Sequence, residues 1–135
     1  MKYIAQISTV FLAAMMMVSC SNGQNQTNDG TIAENVNVEE FSKRLEGAQL
    51  LDVRTPDEWN EGIIEGAIMA NFYEDDFESQ LAKLDKEKPV AVYCKSGGRS
   101  GQAMERMNEL GFKEVYNLKG GISAWNSAKK PTVSP

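Results

Sequence analysis

The sequence predicts an α/β fold, a mostly parallel sheet with helices on both faces, and three observations lead there. Short apolar, β-branched runs alternate with segments of helical period from Thr31 onward, the pattern of strands joined by crossover helices. The run Val90 to Tyr93 ends at Cys94 and opens through a glycine-rich loop into a stretch with apolar residues at 103, 104, 107 and 110, the spacing of one helical face. At 135 residues, 41% hydrophobic and 24% charged, the chain has room for one ordinary globular domain.

The elements follow in order. Asn37 and Glu40 have the spacing of a capping box, and Val38, Phe41 and Leu45 recur on one face until Gly47 ends the helix. Gln49 to Arg54 reads as a strand. Thr55, Pro56 and Glu58 supply an N-cap, a proline at the first helical position and an acid at the third, which predicts a short helix through Trp59 and Asn60. Gly62 to Ala70 is a glycine-hinged turn leading into a strand. Asp75 and Asp76 start the next helix, with Phe77, Leu81 and Leu84 as its buried face and lysines near its end to match the dipole. Pro89 stops it before the Val90–Tyr93 strand. Gly101 to Leu110 is a helix closed by Gly111, Glu114 to Leu118 a strand, and Gly120 to Trp125 the turn into a last short helix. Pro131 to Pro135 is read as a tail.

The first nineteen residues belong to no such domain. Lys2 is followed by a mostly apolar run from Tyr3 to Val18 that contains no acid, the pattern of a secretory signal peptide. Ser19-Cys20 resembles a bacterial lipobox, with Met17 where leucine is usual, so Cys20 is expected to become the lipidated first residue. Ser21 to Gly30 is polar and reads as a flexible tether, giving a division into 1–19, 20–31, 32–128 and 129–135. The reading implies an exported protein on the periplasmic side, held to a bacterial membrane through its N-terminal lipid alone. Loss of residues 1–19 leaves 13 basic against 19 acidic residues, net −6, a balance that argues against nucleic acid and anionic membrane surfaces as partners. With Cys20 acylated, Cys94 is the one remaining thiol, so no intramolecular disulfide can form.

Cys94 is the candidate nucleophile. The loop Lys95-Ser96-Gly97-Gly98-Arg99-Ser100 brings successive backbone N–H groups and a helix N-terminus to one point, a nest for an anion such as a thiolate. Lys95 and Arg99 add positive charge, and together these groups are expected to draw the thiol below its usual value of about 8.5. Arg99 is placed to orient an anionic donor with its planar fork, Ser96 and Ser100 to add hydroxyl donors, or Ser100 to cap the helix. The chain has no histidine, which excludes Cys–His catalysis and makes a zinc site improbable; no metal or cofactor is expected.

Five motifs in order resemble the rhodanese-like sulfurtransferase domains: Leu51-Asp52-Val53-Arg54, Pro56-Asp57-Glu58-Trp59, Gly62 to Ala67, the loop Cys94 to Ser100, and Gly120-Gly121 with Ala124-Trp125. They span roughly residues 32–128. The resemblance implies a three-layer fold on a five-stranded sheet and a reaction in which the thiolate attacks a sulfane sulfur of thiosulfate or a persulfide. The sulfur is then held as a Cys94 persulfide and passed to cyanide, a thiol or a protein acceptor. It also implies that Asp52 and Arg54 form a structural pair beneath the site, while Trp59 and Trp125 are read as packing. Ile63 and Glu65 depart from the family's usual histidine and proline. The alternatives are a sulfur-carrier or docking module at the membrane, and a phosphatase of the dual-specificity type. The phosphatase loops carry one residue more between cysteine and arginine than the four here, Lys95 to Gly98. Thiol–disulfide exchange lacks a second, resolving cysteine.

Overall fold

A computed structural model describes residues 30–135. The expected signal segment, the lipidated Cys20 and nearly all of the tether fall outside the described residues. The domain is built from β1 (Ile32–Val36), α1 (Val38–Arg44), β2 (Gln49–Asp52), α2 (Pro56–Trp59), β3 (Ile68–Met69), α3 (Phe77–Leu81), β4 (Val90–Tyr93), α4 (Gly98–Glu109), β5 (Glu114–Leu118) and α5 (Gly121–Ser127). The five strands form one sheet in the order β1-β5-β4-β2-β3, and every pairing between them is parallel. The expectation of a mostly parallel sheet is thereby sharpened to a wholly parallel one.

Burial on both faces explains the apolar strands. All four residues of β4 are buried. Val90 and Val92 join Phe77 and Leu81 of α3 and Ala103 and Met107 of α4 on one face. Ala91 and Tyr93 join Phe41 of α1 and Ile122 and Trp125 of α5 on the other. Period-two alternation thus sends successive side chains into two separate cores. At about 25 cal/mol per Å² of apolar surface removed from water, a fully buried Val or Leu contributes roughly 1.5–3 kcal/mol, so β4 is anchored from both sides.

The local signals behave as their chemistry requires. Asn37 caps α1, its side chain accepting from the Glu40 N–H at 2.9 Å. The Glu58 carboxylate accepts from the Thr55 N–H at 3.0 Å, closing the start of α2 onto Pro56. Other features add to the expectations or correct them. β1 carries two polar residues, Glu34 and Asn35, in five and lacks the strand composition that marks β4; it forms because β5 offers it a parallel edge. α3 ends at Leu81, before any lysine, and Lys86 instead donates to the Leu110 carbonyl at the end of α4, 2.8 Å away. Leu110 is 36% exposed rather than on the buried face, because α4 has already ended at Glu109. The carboxyl-terminal tail is held in place: Ile63 and Val133 exchange backbone hydrogen bonds of 2.9 and 2.8 Å, and the Trp125 indole N–H donates to the Pro131 carbonyl at 2.9 Å.

Candidate active site

Cys94 follows β4 directly, at the carboxyl end of the sheet's middle strand, where parallel sheets place their ligand crevice. Helix α4 starts at Gly98, three residues earlier than the periodicity suggested, because Gly97 adopts φ +101° and turns the chain straight from loop to helix. That early start puts Ser100 in the first turn rather than at the cap. Side chains in a helix lean back toward its N-terminus, and the fully buried Ser100 hydroxyl donates to the Cys94 Sγ at 3.3 Å. The Gly97 N–H donates to the same sulfur at 3.1 Å.

Burial pushes the Cys94 thiol up, but the Ser100 hydroxyl and the N–H groups of Ser100, Gly97 and Ser96 outweigh it, so the thiol lies below its ordinary value. Of the contributions anticipated, the loop's N–H groups and the Ser100 hydroxyl carry the shift rather than the charges of Lys95 and Arg99. Lys95 is exposed, and the Arg99 guanidinium is held by the Glu58 carboxylate through two hydrogen bonds of 2.8 Å. Thiolate stabilisation is therefore chiefly the work of hydrogen-bond donors, with Arg99 as a nearby charge already partnered.

Glu58 has a second role at the site besides capping α2. Its Oε2 accepts from the Thr55 N–H, the Thr55 hydroxyl and Arg99 Nη1. The hydrogen bonds from Arg99 draw its carboxyl down to about 2, against burial that would raise it. Reciprocally, Arg99 is held charged by Glu58 and by attraction to the Cys94 thiolate. The Arg99 guanidinium also lies 5.7 Å from the ring centre of Tyr73, which is 66% exposed.

Asp52 and Arg54 form a second pair, at 2.7 Å, with side chains 0% and 3% exposed. Arg54 also donates to the carbonyls of Glu58 and Gly62, at 3.1 and 2.7 Å, tying the end of α2 and the following turn to the strand. The Tyr93 hydroxyl, from β4, accepts from the Ile64 N–H at 3.0 Å and is buried beside Asp52.

The loop is held from below by α5. The Ile122 and Ser123 N–H groups donate to the carbonyls of Cys94 and Lys95, at 2.8 and 3.1 Å. A Cβ on Gly121 would clash with both carbonyl oxygens, so only glycine lets α5 approach the Cys94–Lys95 backbone this closely. From the sheet, Asn117 donates to the Gly97 carbonyl at 3.2 Å and to the Asn35 side chain at 2.7 Å. A buried amide in the middle of an apolar strand is the signal that could have drawn attention to Asn117. Ser96 and Gly98 lie exposed on the loop's outer side. A cleft of about 130 Å³ opens beside it, bordered by Lys95, Arg54, Glu58, Glu61 and, from the tail, Thr132. Among the described residues there is no cluster of acidic or cysteine side chains that could hold a metal ion. Trp59 is half-buried and Trp125 packs edge-on against Phe41.

A buried thiol cradled by N–H and hydroxyl donors at the carboxyl end of a parallel strand is an arrangement that suits a nucleophilic cysteine in an α/β domain. The rhodanese-like domain model matches residues 37–128, and the chain belongs to that family. A sulfurtransferase of Allochromatium vinosum is 35% identical over 103 residues, covering 74% of this chain and 94% of the relative. The thiosulfate sulfurtransferase GlpE of Coxiella burnetii is 40% identical, over 62% of this chain and 75% of its own. Among solved structures, a rhodanese-related protein of Thermoplasma volcanium superposes with a TM-score of 0.68 at 29% identity, over 75% of this chain and 98% of that one. The polysulfide-sulfur transferase of Wolinella succinogenes gives 0.63 at 31% identity, over 75% and 78%.

Proposed function

We propose that the protein is a sulfurtransferase in which Cys94 takes a sulfane sulfur from thiosulfate or a persulfide, carries it as a persulfide, and delivers it to a thiol, cyanide or protein acceptor. The observation that carries this reading is the Cys94 sulfur itself, buried yet surrounded by the Gly97 N–H and the Ser100 hydroxyl. Such donors suit a group that is anionic at every stage, as thiolate before attack and as persulfide after it, so no general base is needed. Removing one donor from comparable oxyanion sites costs about 3–4 kcal/mol, enough for this cradle to supply much of the rate. Sulfurtransferases among the relatives support the reaction class.

The test is intact mass after incubation with thiosulfate and, separately, with cysteine persulfide, followed by thiocyanate release on adding cyanide. The expected result is a gain of one sulfur with at least one donor, turnover to thiocyanate, and loss of both in Cys94→Ser. No sulfur gain from either donor would sink the proposal; a gain without turnover would leave a carrier awaiting a protein acceptor. The export reading belongs to the same proposal, with the exchange taking place on a lipid-tethered domain outside the cytoplasm. Mass spectrometry of the membrane fraction showing an unmodified Met1 would remove that part.

A further inference from the structure

We infer that the donor this site is built for is an organic persulfide of low charge rather than thiosulfate, and that Glu58 sets this preference by neutralising Arg99. The inference rests on the reading of Cys94 as a sulfur carrier and adds the chemical class of what loads it.

The electron count separates the two donors. Attack on thiosulfate, Cys94–S⁻ + S–SO₃²⁻ → Cys94–S–S⁻ + SO₃²⁻, forms one S–S bond, breaks another, and gathers three negative charges at one point. Attack on a persulfide, Cys94–S⁻ + R–S–SH → Cys94–S–S⁻ + R–SH, makes the same exchange of S–S bonds with one negative charge throughout, the proton passing from the transferred sulfur to the leaving thiolate. The first reaction needs cations free to face the donor; the second does not.

Around Cys94 the cations are largely committed. Arg99, whose charge interacts with the Cys94 thiolate, gives two of its N–H groups to Glu58 at 2.8 Å, and the two side chains are only 17% and 19% exposed. Arg54 is closed off by Asp52 and by two carbonyls. The remaining loop cation among the described residues is Lys95, exposed and sharing its cleft with Glu61 and Glu58. The pairs therefore sum to little positive potential, on a chain that is itself acidic at net −5. On the other flank of Arg99 the Tyr73 ring stands 66% exposed, an apolar surface that the carbon chain of an organic persulfide can cover and a sulfonate cannot use.

The experiment uses the full chain and follows the second-order rate of sulfur gain at Cys94 by acid quench and intact mass, with thiosulfate and with cysteine persulfide as donors. Wild type is expected to load faster from cysteine persulfide, and its thiosulfate rate to stay level or rise as salt is added, as for reactants of like charge. Glu58→Gln is expected to raise the thiosulfate-to-persulfide rate ratio by roughly tenfold by releasing one full charge beside the sulfur. The inference is overturned if wild type loads from thiosulfate as fast as from cysteine persulfide, or if its thiosulfate rate falls with salt, which requires no variant to fold. An unchanged ratio in a folded Glu58→Gln removes Glu58 as the determinant. Sulfur gain from neither donor would instead sink the sulfurtransferase reading on which all of this stands.

Discussion

Two arginine–carboxylate pairs flank Cys94, and the differences between them show how one chemistry serves two purposes. Asp52–Arg54 joins residues two apart at the end of one strand, and both side chains are closed to solvent. Glu58–Arg99 joins residues 41 apart on two helices and keeps about a sixth of each side chain exposed. The first is a brace: Arg54 also grips the carbonyls of Glu58 and Gly62, so its loss would leave a buried charge and two orphaned acceptors. The second, on the reading proposed above, is an electrostatic neighbour of the nucleophile, open enough for its charge balance to matter to an arriving donor. Depth makes an ion pair structural, and in the proposed account partial exposure beside the reacting sulfur gives the second pair a hand in selectivity.

The largest effect should come from breaking the deeper pair. Asp52→Asn leaves the Arg54 guanidinium buried without its counter-charge, and urea unfolding should show a loss of about 3–5 kcal/mol. Glu58→Gln should cost less, about 1–2 kcal/mol, because the pair is partly solvated and the capping of α2 is only weakened. Its signature is in acid. The folded-state Glu58 carboxyl lies at about 2 against an ordinary 4.5, so its stabilisation is complete above pH 4.5 and is lost as pH falls through about 2. Wild type and Glu58→Gln should therefore converge in stability across that window, and parallel curves would contradict the pairing.

A smaller effect is expected from Asn117→Ala, which frees the Gly97 carbonyl while leaving its N–H in place. Stability should fall by about 1 kcal/mol, and the pH midpoint of Cys94 alkylation should rise as the N–H loses its aim at the sulfur. A stability loss with an unmoved midpoint would make Asn117 a packing residue and nothing more. Ending the chain at Lys130 removes the Ile63–Val133 bridge and the Pro131 acceptor of Trp125. The expected loss is no more than about 1–2 kcal/mol by thermal unfolding, with the Cys94 midpoint unchanged.

Much of the framework was legible because its signals are local. Asn37 with Glu40, Thr55 with Pro56, the β-branched run into Cys94, and the paired glycines at 120 and 121 each act within a few residues. The Cys94 loop was readable as an anion cradle for the same reason. What stayed hidden depends on contacts across the chain. Glu58 reads as a capping residue until folding brings Arg99 to it. Asn117 shows its use only once β5 lies beside β4 with its amide under Gly97. β1, with Glu34 and Asn35 within its five residues, becomes a strand because β5 offers it an edge, and the tail because Ile63 leaves a free N–H and carbonyl facing it. The loop's N–H donors to the thiolate were legible because they are local, whereas the commitment of Arg99 to Glu58 was not, since a charge is visible in a sequence and its partner 41 residues away is not.

The measurement that bears most directly on the central claim is the pH dependence of Cys94 alkylation by iodoacetamide, wild type beside Ser100→Ala. If hydrogen-bond donors hold the sulfur as a thiolate, the wild-type midpoint lies below the ordinary value of about 8.5 and moves upward when the Ser100 hydroxyl is removed. A wild-type midpoint at or above that value would mean that burial prevails over the donors, and the cradle would have no claim to prepare a nucleophile.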